Sequence, residues 1–150
     1  MASLLFEVDG QRYGLDVAQV LKVLPSLHLR RLPRVPEYVA GVFQYRGTMV
    51  PVIDVSQLIK GRPVAALLST RIILVRYLGP SGRDAVLGLL VERATDSLDE
   101  GAGETTSSGV AVPEAPYLGG LSASGGGIIQ YVKVEHLLPG ELRDRLFVED

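Results

Sequence analysis

The 150-residue chain contains no cysteine, which excludes disulfides, thiolate metal sites and cysteine nucleophiles and agrees with a reducing compartment. Neither sign of charge dominates. Fifteen basic and 17 acidic side chains leave a formal net charge of -2, so no global field draws the chain to nucleic acid or to an acidic membrane surface. Aromatic side chains are few, six tyrosines and three phenylalanines, and most fall inside apolar runs, which leaves little for stacking on bases. Met1-Ala-Ser-Leu-Leu-Phe6 lacks a basic start and meets Glu7 and Asp9 at once. Neither a secretory leader nor a membrane span is expected, and the expected location is the cytoplasm. His28 and His136 stand alone, without metal-ligand spacing around them, and no cofactor or metal is expected.

What is plentiful is apolar. Hydrophobic residues make up 47% of the chain, ample for the packed core of one domain of ordinary size. The stretch 38–59 organises the rest. Val39-Ala-Gly-Val-Phe-Gln-Tyr45 and Thr48-Met-Val-Pro-Val-Ile-Asp54 read as two strands folded about Arg46-Gly47, with Gly47 supplying the positive φ of a tight hairpin turn. Arg46 is thereby held out at the hairpin's edge. Pro51 has no N–H to give a ladder, which predicts an edge position or a bulge for its strand.

Upstream, Leu4-Leu-Phe-Glu-Val8 and Arg12-Tyr-Gly-Leu15 flank Asp9-Gly10-Gln11, a second hairpin signal. Asp16 suits the cap of one helical turn over 17–20, after which Leu21-Lys-Val-Leu24 reads as a third strand stopped by Pro25. Residues 27–36, with Arg30, Arg31, Arg34 and two prolines, read as an exposed, extended connection. Downstream, 55–59 reads as a docked turn ending at Gly61, and 63–68 as a crossing between two halves. Arg71-Ile-Ile-Leu-Val-Arg-Tyr77 and Ala85-Val-Leu-Gly-Leu-Leu-Val91 pair about 79–83, with Gly88 marking a bend or a close backbone approach. The Gly/Ser/Thr-rich stretch 99–110 reads as a mobile loop. Residues 119–122 and 128–132 read as a strand pair about Gly125-Gly-Gly127, 134–138 as a short helix, and 141–147 as a last helix with Leu142, Leu146 and Phe147 on its apolar face. Roughly ten short strands and no long helix predict an all-β protein of small barrels or a sandwich. Two small barrels sharing a core, dividing near 61–69, meet the strand count better than one.

No nucleophile with its base and no metal set is visible, so an enzyme is not expected. Asp16 and Asp54 read as capping groups. Ser122-Ala-Ser-Gly-Gly-Gly127 lacks the Lys-Ser/Thr pair of a phosphate cradle and reads as a loop. Arg30, Arg31 and Arg34 have no aromatic residues between them, so a solvated connection is a plainer reading than a phosphate patch. Arg46, beside Gly47, is placed to make forked bonds to turn carbonyls or to a partner's carboxylate, although from the residues alone a surface arginine at a turn is the plainer reading. A protein-binding adaptor stands against a small β-barrel nucleic-acid-binding module, which would need a positive face with exposed rings.

Taken in order, Phe6-Glu-Val, Tyr13-Gly-Leu-Asp-Val17, Val20, Leu32-Pro, Pro36, Gly41-Val, Arg46-Gly, Val50-Pro-Val-Ile-Asp54, Leu87-Gly-Leu-Leu-Val91 and Tyr117-Leu-Gly-Gly-Leu121 resemble the chemotaxis coupling proteins, the CheW-like family, over nearly the whole chain. Phe43-Gln-Tyr-Arg-Gly47, in place of the commoner Asn-Leu-Arg-Gly, and the Pro116-Tyr-Leu-Gly ending are most similar to the WspB-type couplers of surface-sensing pathways. The resemblance implies one CheW-like domain over 1–150, built of two intertwined five-stranded SH3-like barrels with short helices and no active site. The first barrel would be mainly 12–62, the second mainly 1–11 and 69–132, with a helical C-terminal segment 133–148.

Two partners are implied as well. One is the cytoplasmic tip of a methyl-accepting receptor, a helix pair docked in an apolar groove between the barrels. The other is the regulatory domain of a CheA-like histidine kinase, met barrel to barrel. Residence at receptor clusters on the inner membrane is implied without insertion, and no nucleic acid. The resemblance places Val20 at the receptor groove, Gly41, Arg46 and Gly47 on the first barrel's presenting hairpin, and Gly88 in the second barrel. Where many couplers carry an acidic residue two positions after the valine, Lys22 stands here. That change of sign on the partner-facing side implies a dedicated pair of partners.

Overall fold

The computed structural model describes residues 3–98, 105–106, 114–124 and 127–147. Their strands are β1 (Ser3–Val8), β2 (Gln11–Asp16), β3 (Val20–Pro25), β4 (Val39–Tyr45), β5 (Thr48–Asp54), β6 (Thr70–Leu78), β7 (Asp84–Leu98), β8 (Thr105–Thr106), β9 (Leu118–Ser124) and β10 (Gly127–Val132). Two short helices, α1 (Val55–Lys60) and α2 (Gly140–Leu146), lie between or after them.

Two of the hairpins turn on left-handed residue pairs. Val8 pairs with Gln11 across Asp9 (φ 51°) and Gly10 (φ 78°), and Tyr45 pairs with Thr48 across Arg46 (φ 50°) and Gly47 (φ 81°). Positive φ at both central residues is the type I′ turn, whose twist matches that of the strands it joins. Both expected caps form. Asp16 accepts the Ala18 N–H at 2.9 Å to start a single 3-10 turn, Val17–Gln19. Asp54 accepts the Gln57 N–H at 3.1 Å and heads α1, which closes on Gly61 at φ 73°.

Strand β7 runs through both halves of the molecule. Its first part pairs with β6 from Leu78↔Asp84 to Thr70↔Glu92 and, in parallel, with β5 from Val52↔Gly88 to Asp54↔Leu90. From Glu92 onward it pairs with β1. One set is therefore β4-β5-β7-β6-β3, and it closes on itself because Arg30, on the chain leaving β3, exchanges backbone hydrogen bonds with Val42 of β4 at 2.9 and 2.8 Å. The other set is β7-β1-β2-β10-β9, with β8 outside β9. These ladders cut across the expected division at 12–62: β2 sits with β1 and β10, while β6 and the first part of β7 join β3, β4 and β5. The reason lies in the parallel β5–β7 pair, which needs a long crossover. The segment after β5 supplies it, and so returns to the same set rather than starting a new one.

The run Ile72-Ile-Leu-Val75 is wholly buried. Ile72 and Leu74 join Val50 inside the first set, with Leu24, Leu29, Phe43, Tyr45, Val86 and Leu90 packed around them. Ile73 and Val75 face the larger core that both sets share with Phe6, Leu15, Val39, Ile53 and Leu89. A strand buried on both faces reads as continuous apolar sequence rather than an alternating one. Each such side chain stabilises the fold by about 1.5–3 kcal/mol.

Pro51 lies where β5 is an edge: pairing with β7 begins only at Val52, and the accompanying bulge falls across the ladder at Ala40 of β4. The 134–138 helix is shorter than expected, a single 3-10 turn at Val134–His136. Helix α2 forms as expected, with Leu142 buried and Phe147 stacked on Tyr77 at 5.5 Å between centroids. Of the 99–110 stretch, only Thr105–Thr106 is among the described residues, where it pairs with Ser122 and Leu121. Among the described residues no helix is long and apolar enough to cross a membrane.

Two tests follow from the core. Gly88→Ala puts a Cβ 2.9 Å from Val52 Cγ2 and 3.2 Å from Ile72 Cγ2, and chemical denaturation should show a loss of about 1–3 kcal/mol from overpacking. Gly41→Ala should cost more, because its Cβ falls 2.5 Å from the rigid Arg30 carbonyl at φ 149°. The second test is alkaline. Burial raises Tyr13, Tyr38, Tyr77 and Tyr117 above the ordinary 10.0; Asp9 adds to it at Tyr13, Tyr13 and Tyr38 add to it at Tyr117, and Arg143 and a Leu138 backbone hydrogen bond oppose it at Tyr77. Because the unfolded chain gives up these protons first, their stabilisation is complete below pH 10 and is lost as pH rises through the folded values. Ultraviolet titration should show the four phenolates appearing late, together with unfolding; early, unfolding-independent ionisation of all six tyrosines would contradict this.

Candidate functional site

The Tyr45-Arg46-Gly47-Thr48 turn stands at one end of the first set. Because β5 and β7 run parallel with Val52 level with Gly88, the turn falls at the same end as the β6–β7 connection 79–83. Between them lies a groove of about 480 Å³ lined by Gly47, Thr48, Met49, Pro80, Ala85, Val86, Leu146 and Phe147, with Arg83 and Asp84 beside them. Met49 is 56% exposed there, the apolar residue that β5 turns outward.

Arg46 itself is exposed, and its guanidinium carbon lies 5.3 Å from the centre of the Tyr45 ring. No hydrogen bond or ion pair to Arg46 occurs among the described residues, so of the two expected uses of the guanidinium, turn carbonyls or a partner's carboxylate, the first is not made, and the nearest contact is the preceding ring. Tyr45 is half-buried, set edge-on to Phe43 at 6.4 Å and packed against Val50, Ile72 and Leu74. The residue that places the arginine is thus anchored in the interior of the first set. The signal was present in the sequence as an aromatic residue directly before an arginine at a two-residue turn.

Three of the other candidates share one row of the sheet. Gly41 opposes Val52, Val52 opposes Gly88, Gly88 opposes Leu74 and Leu74 opposes Lys22, one residue from each strand of the first set. Gly41 and Gly88 are both buried, and each leaves room that a neighbour fills: the Arg30 backbone at Gly41, the Val52 and Ile72 methyls at Gly88. Gly88, expected in the second barrel, lies in the strand shared by both, within its first-set portion. Gly47 and Arg46 are five and six residues from Val52 of this row, about 17–20 Å at the rise of a strand.

Val20 and Lys22 are separated by a bulge at Leu21, since Val20 opposes Val75 and Lys22 opposes the adjacent Leu74. An extra residue in one strand reverses the alternation. Val20 is half-buried against the shared core, whereas Lys22 is exposed on the opposite face. The sign change at Lys22 therefore does not sit on the face that Val20 presents.

Asp16 and Asp54 are occupied as caps, and Asp54 also accepts the Val64 N–H at 2.9 Å. Arg30, Arg31 and Arg34 are exposed, and the Arg34 carbonyl accepts a hydrogen bond from Arg145. Among the described residues no group of three or more histidine, aspartate or glutamate side chains is placed to hold a metal ion.

Two five-stranded sets around one core, with helices only at the joins and a hairpin turn held outward, define the class as a paired small-barrel module of the SH3-like kind. The family follows from comparison: residues 2–141 match the CheW-like domain, and the chain belongs to that family. It is 28% identical over 144 residues to the chemotaxis protein CheW of Klebsiella aerogenes, covering 92% of this chain and 81% of that protein. It is 32% identical over 93 residues to the chemotaxis protein CheW of Bacillus subtilis, covering 62% of this chain and 56%, little over half, of that protein. Among solved structures, the scaffolding protein TtCheW of Thermoanaerobacter tengcongensis superposes with a TM-score of 0.76 at 24% identity, over 93% of this chain and 94% of that one. That likeness shows the fold.

The turn geometry makes a stability prediction. A left-handed arginine costs roughly 1–2 kcal/mol and a surface cation–π contact returns about 0.5–1. Arg46→Asn, which suits the first position of a type I′ turn, should therefore melt at or above the wild-type temperature. Gly47→Val, a β-branched residue at φ 81°, should melt several degrees lower, and the reverse order would overturn the turn assignment.

Proposed function

We propose that the protein is a non-catalytic signalling adaptor that couples a methyl-accepting chemoreceptor to a CheA-like histidine kinase. The observation that carries this reading is the family match over 2–141. It is supported by the naming of two relatives as chemotaxis protein CheW, one of them aligned over most of both chains, and by a structural relative described as a scaffolding protein. The physical role is scaffolding. Holding a receptor tip and a kinase regulatory domain on one small body raises their effective concentration and lets a receptor movement bias the kinase. Residence at receptor clusters on the inner membrane follows from the receptor contact rather than from insertion. A dedicated receptor and kinase pair of the surface-sensing type accords with Phe43-Gln-Tyr-Arg-Gly47.

In this reading the receptor contact draws on Val20 and on the Arg46-Gly47 turn. Gly41 and Gly88 act from within, by letting the strands of the presenting hairpin close up. The nucleic-acid alternative is disfavoured by the placement of the rings, since Phe6 stacks on Tyr13 and Tyr77 on Phe147 inside the molecule.

The test is calorimetry and co-elution with the receptor cytoplasmic fragment and the kinase regulatory domain encoded in the same genome. Binding of both at about micromolar strength, worth about 8 kcal/mol, is expected. Val20→Asp should abolish the receptor contact and spare the kinase contact. Since Val20 also packs on the shared core, Val20→Asp should lower the melting temperature too, so Val20→Ala is the control: receptor binding weakened, melt only slightly changed. Absence of both partners from the wild-type complex would remove the adaptor reading.

A further inference from the structure

We infer that Tyr45 is a positioning residue for Arg46, and that together they form a binding site in which Arg46 donates to a single carboxylate on the receptor helix that docks beside the turn. The inference rests on the adaptor reading and adds to it a residue and a ligand chemistry. Its basis is the way the arginine is held. A guanidinium has five N–H donors, and one engaged by the protein's own carboxylates and carbonyls has few left for a partner. Arg46 engages none among the described residues; its guanidinium carbon lies 5.3 Å from the centre of the Tyr45 ring. A cation–π contact of this kind commits none of the N–H groups to an oxygen acceptor, so they remain available for two parallel bonds to a carboxylate.

The ring is itself fixed. Tyr45 pairs with Thr48 across the turn, stands edge-on to Phe43 and packs on the Val50, Ile72 and Leu74 cluster. The backbone adds to this, because φ of 50° at Arg46 and 81° at Gly47 sets the direction in which the side chain leaves the turn. The nearby groove carries Met49 and Phe147, so the complementary surface is an amphipathic helix with an apolar residue and an aspartate or glutamate about one turn apart.

A double-mutant cycle tests this, using the receptor cytoplasmic fragment from the same genome as the probe. Tyr45→Leu keeps an apolar side chain in the packed site but removes the ring face, and should weaken receptor binding about tenfold. Tyr45→Phe keeps the face and should retain wild-type affinity. In an Arg46→Ala background, Tyr45→Leu should have no further effect, because the tyrosine acts through the arginine. Nuclear magnetic resonance of the free protein gives an independent reading: the Arg46 side-chain methylene protons should be shifted upfield by the ring in wild type and Tyr45→Phe, and not in Tyr45→Leu. Equal receptor affinity of wild type and Tyr45→Leu, additive losses in the cycle, or methylene shifts indifferent to the ring would each overturn the inference while leaving the adaptor reading intact. A wild-type protein that binds no receptor fragment defeats the adaptor reading, and the carboxylate contact with it.

Discussion

Everything in this molecule depends on one strand serving two sheets. β7 pairs on both sides in its first part, with β5 and β6, and then leaves them to run along β1. A strand cannot make that change of partner while straight. The bend comes at Arg93, whose φ of 50° is left-handed. Its N–H is taken by the Ser69 carbonyl at 3.0 Å, and its side chain lies 3.5 Å from Glu7. Strain of this size, about 1–3 kcal/mol, persists only where the surroundings over-determine it. Here they do so through a backbone bond from one set and an ion pair from the other. The shared core then follows, since the two sets are held at a fixed distance by a common element and Ile73, Val75, Leu87 and Leu89 fill what lies between.

Much of this was legible in the residues. The type I′ turns announced themselves through Asp9-Gly10 and Arg46-Gly47, the caps through Asp16 and Asp54, and the doubly buried strand through Ile72-Ile-Leu-Val75. What the residues could not disclose was which strands would be neighbours. The partition at 12–62 assumed that strands close in sequence share a barrel, and parallel pairing of β5 with β7 breaks that assumption. Nothing local in Val52-Ile-Asp54 distinguishes a parallel neighbour from an antiparallel one, because the ladder is made by backbone atoms that every residue carries. The bend at Arg93 is equally silent, since arginine has no preference for positive φ and takes it only under tertiary constraint.

The candidate site was legible in part and for a similar reason. Arg46 and Gly47 lie on an exposed turn because local chemistry alone makes that turn. The row through Val52 shows why a side chain is excluded at Gly41 and at Gly88. The relation of Val20 to Lys22 escaped, because counting by twos along β3 assumes an unbroken ladder and the bulge at Leu21 shifts the count. The stack of Arg46 on Tyr45 escaped through attention to the polar groups of the turn, when the guanidinium had an aromatic neighbour one residue away.

The segment between α1 and β6 has no regular structure, yet it is fastened along its length. Asp54 accepts from Val64 at 2.9 Å, Glu92 from Ala65 at 3.2 Å, Thr70 Oγ1 from Leu67 at 3.1 Å, and the Arg71 guanidinium donates to the Leu68 and Thr70 carbonyls. The consequence is a loop without slack. A displacement of β5 at Asp54 is carried through Val64 and Ala65 to Glu92, next to the bend in β7, so the connection acts as a short strut between the end of the presenting hairpin's strand and the point where the two sheets part company. Leu68, 97% exposed, is carried on that strut, its carbonyl held by the Arg71 guanidinium.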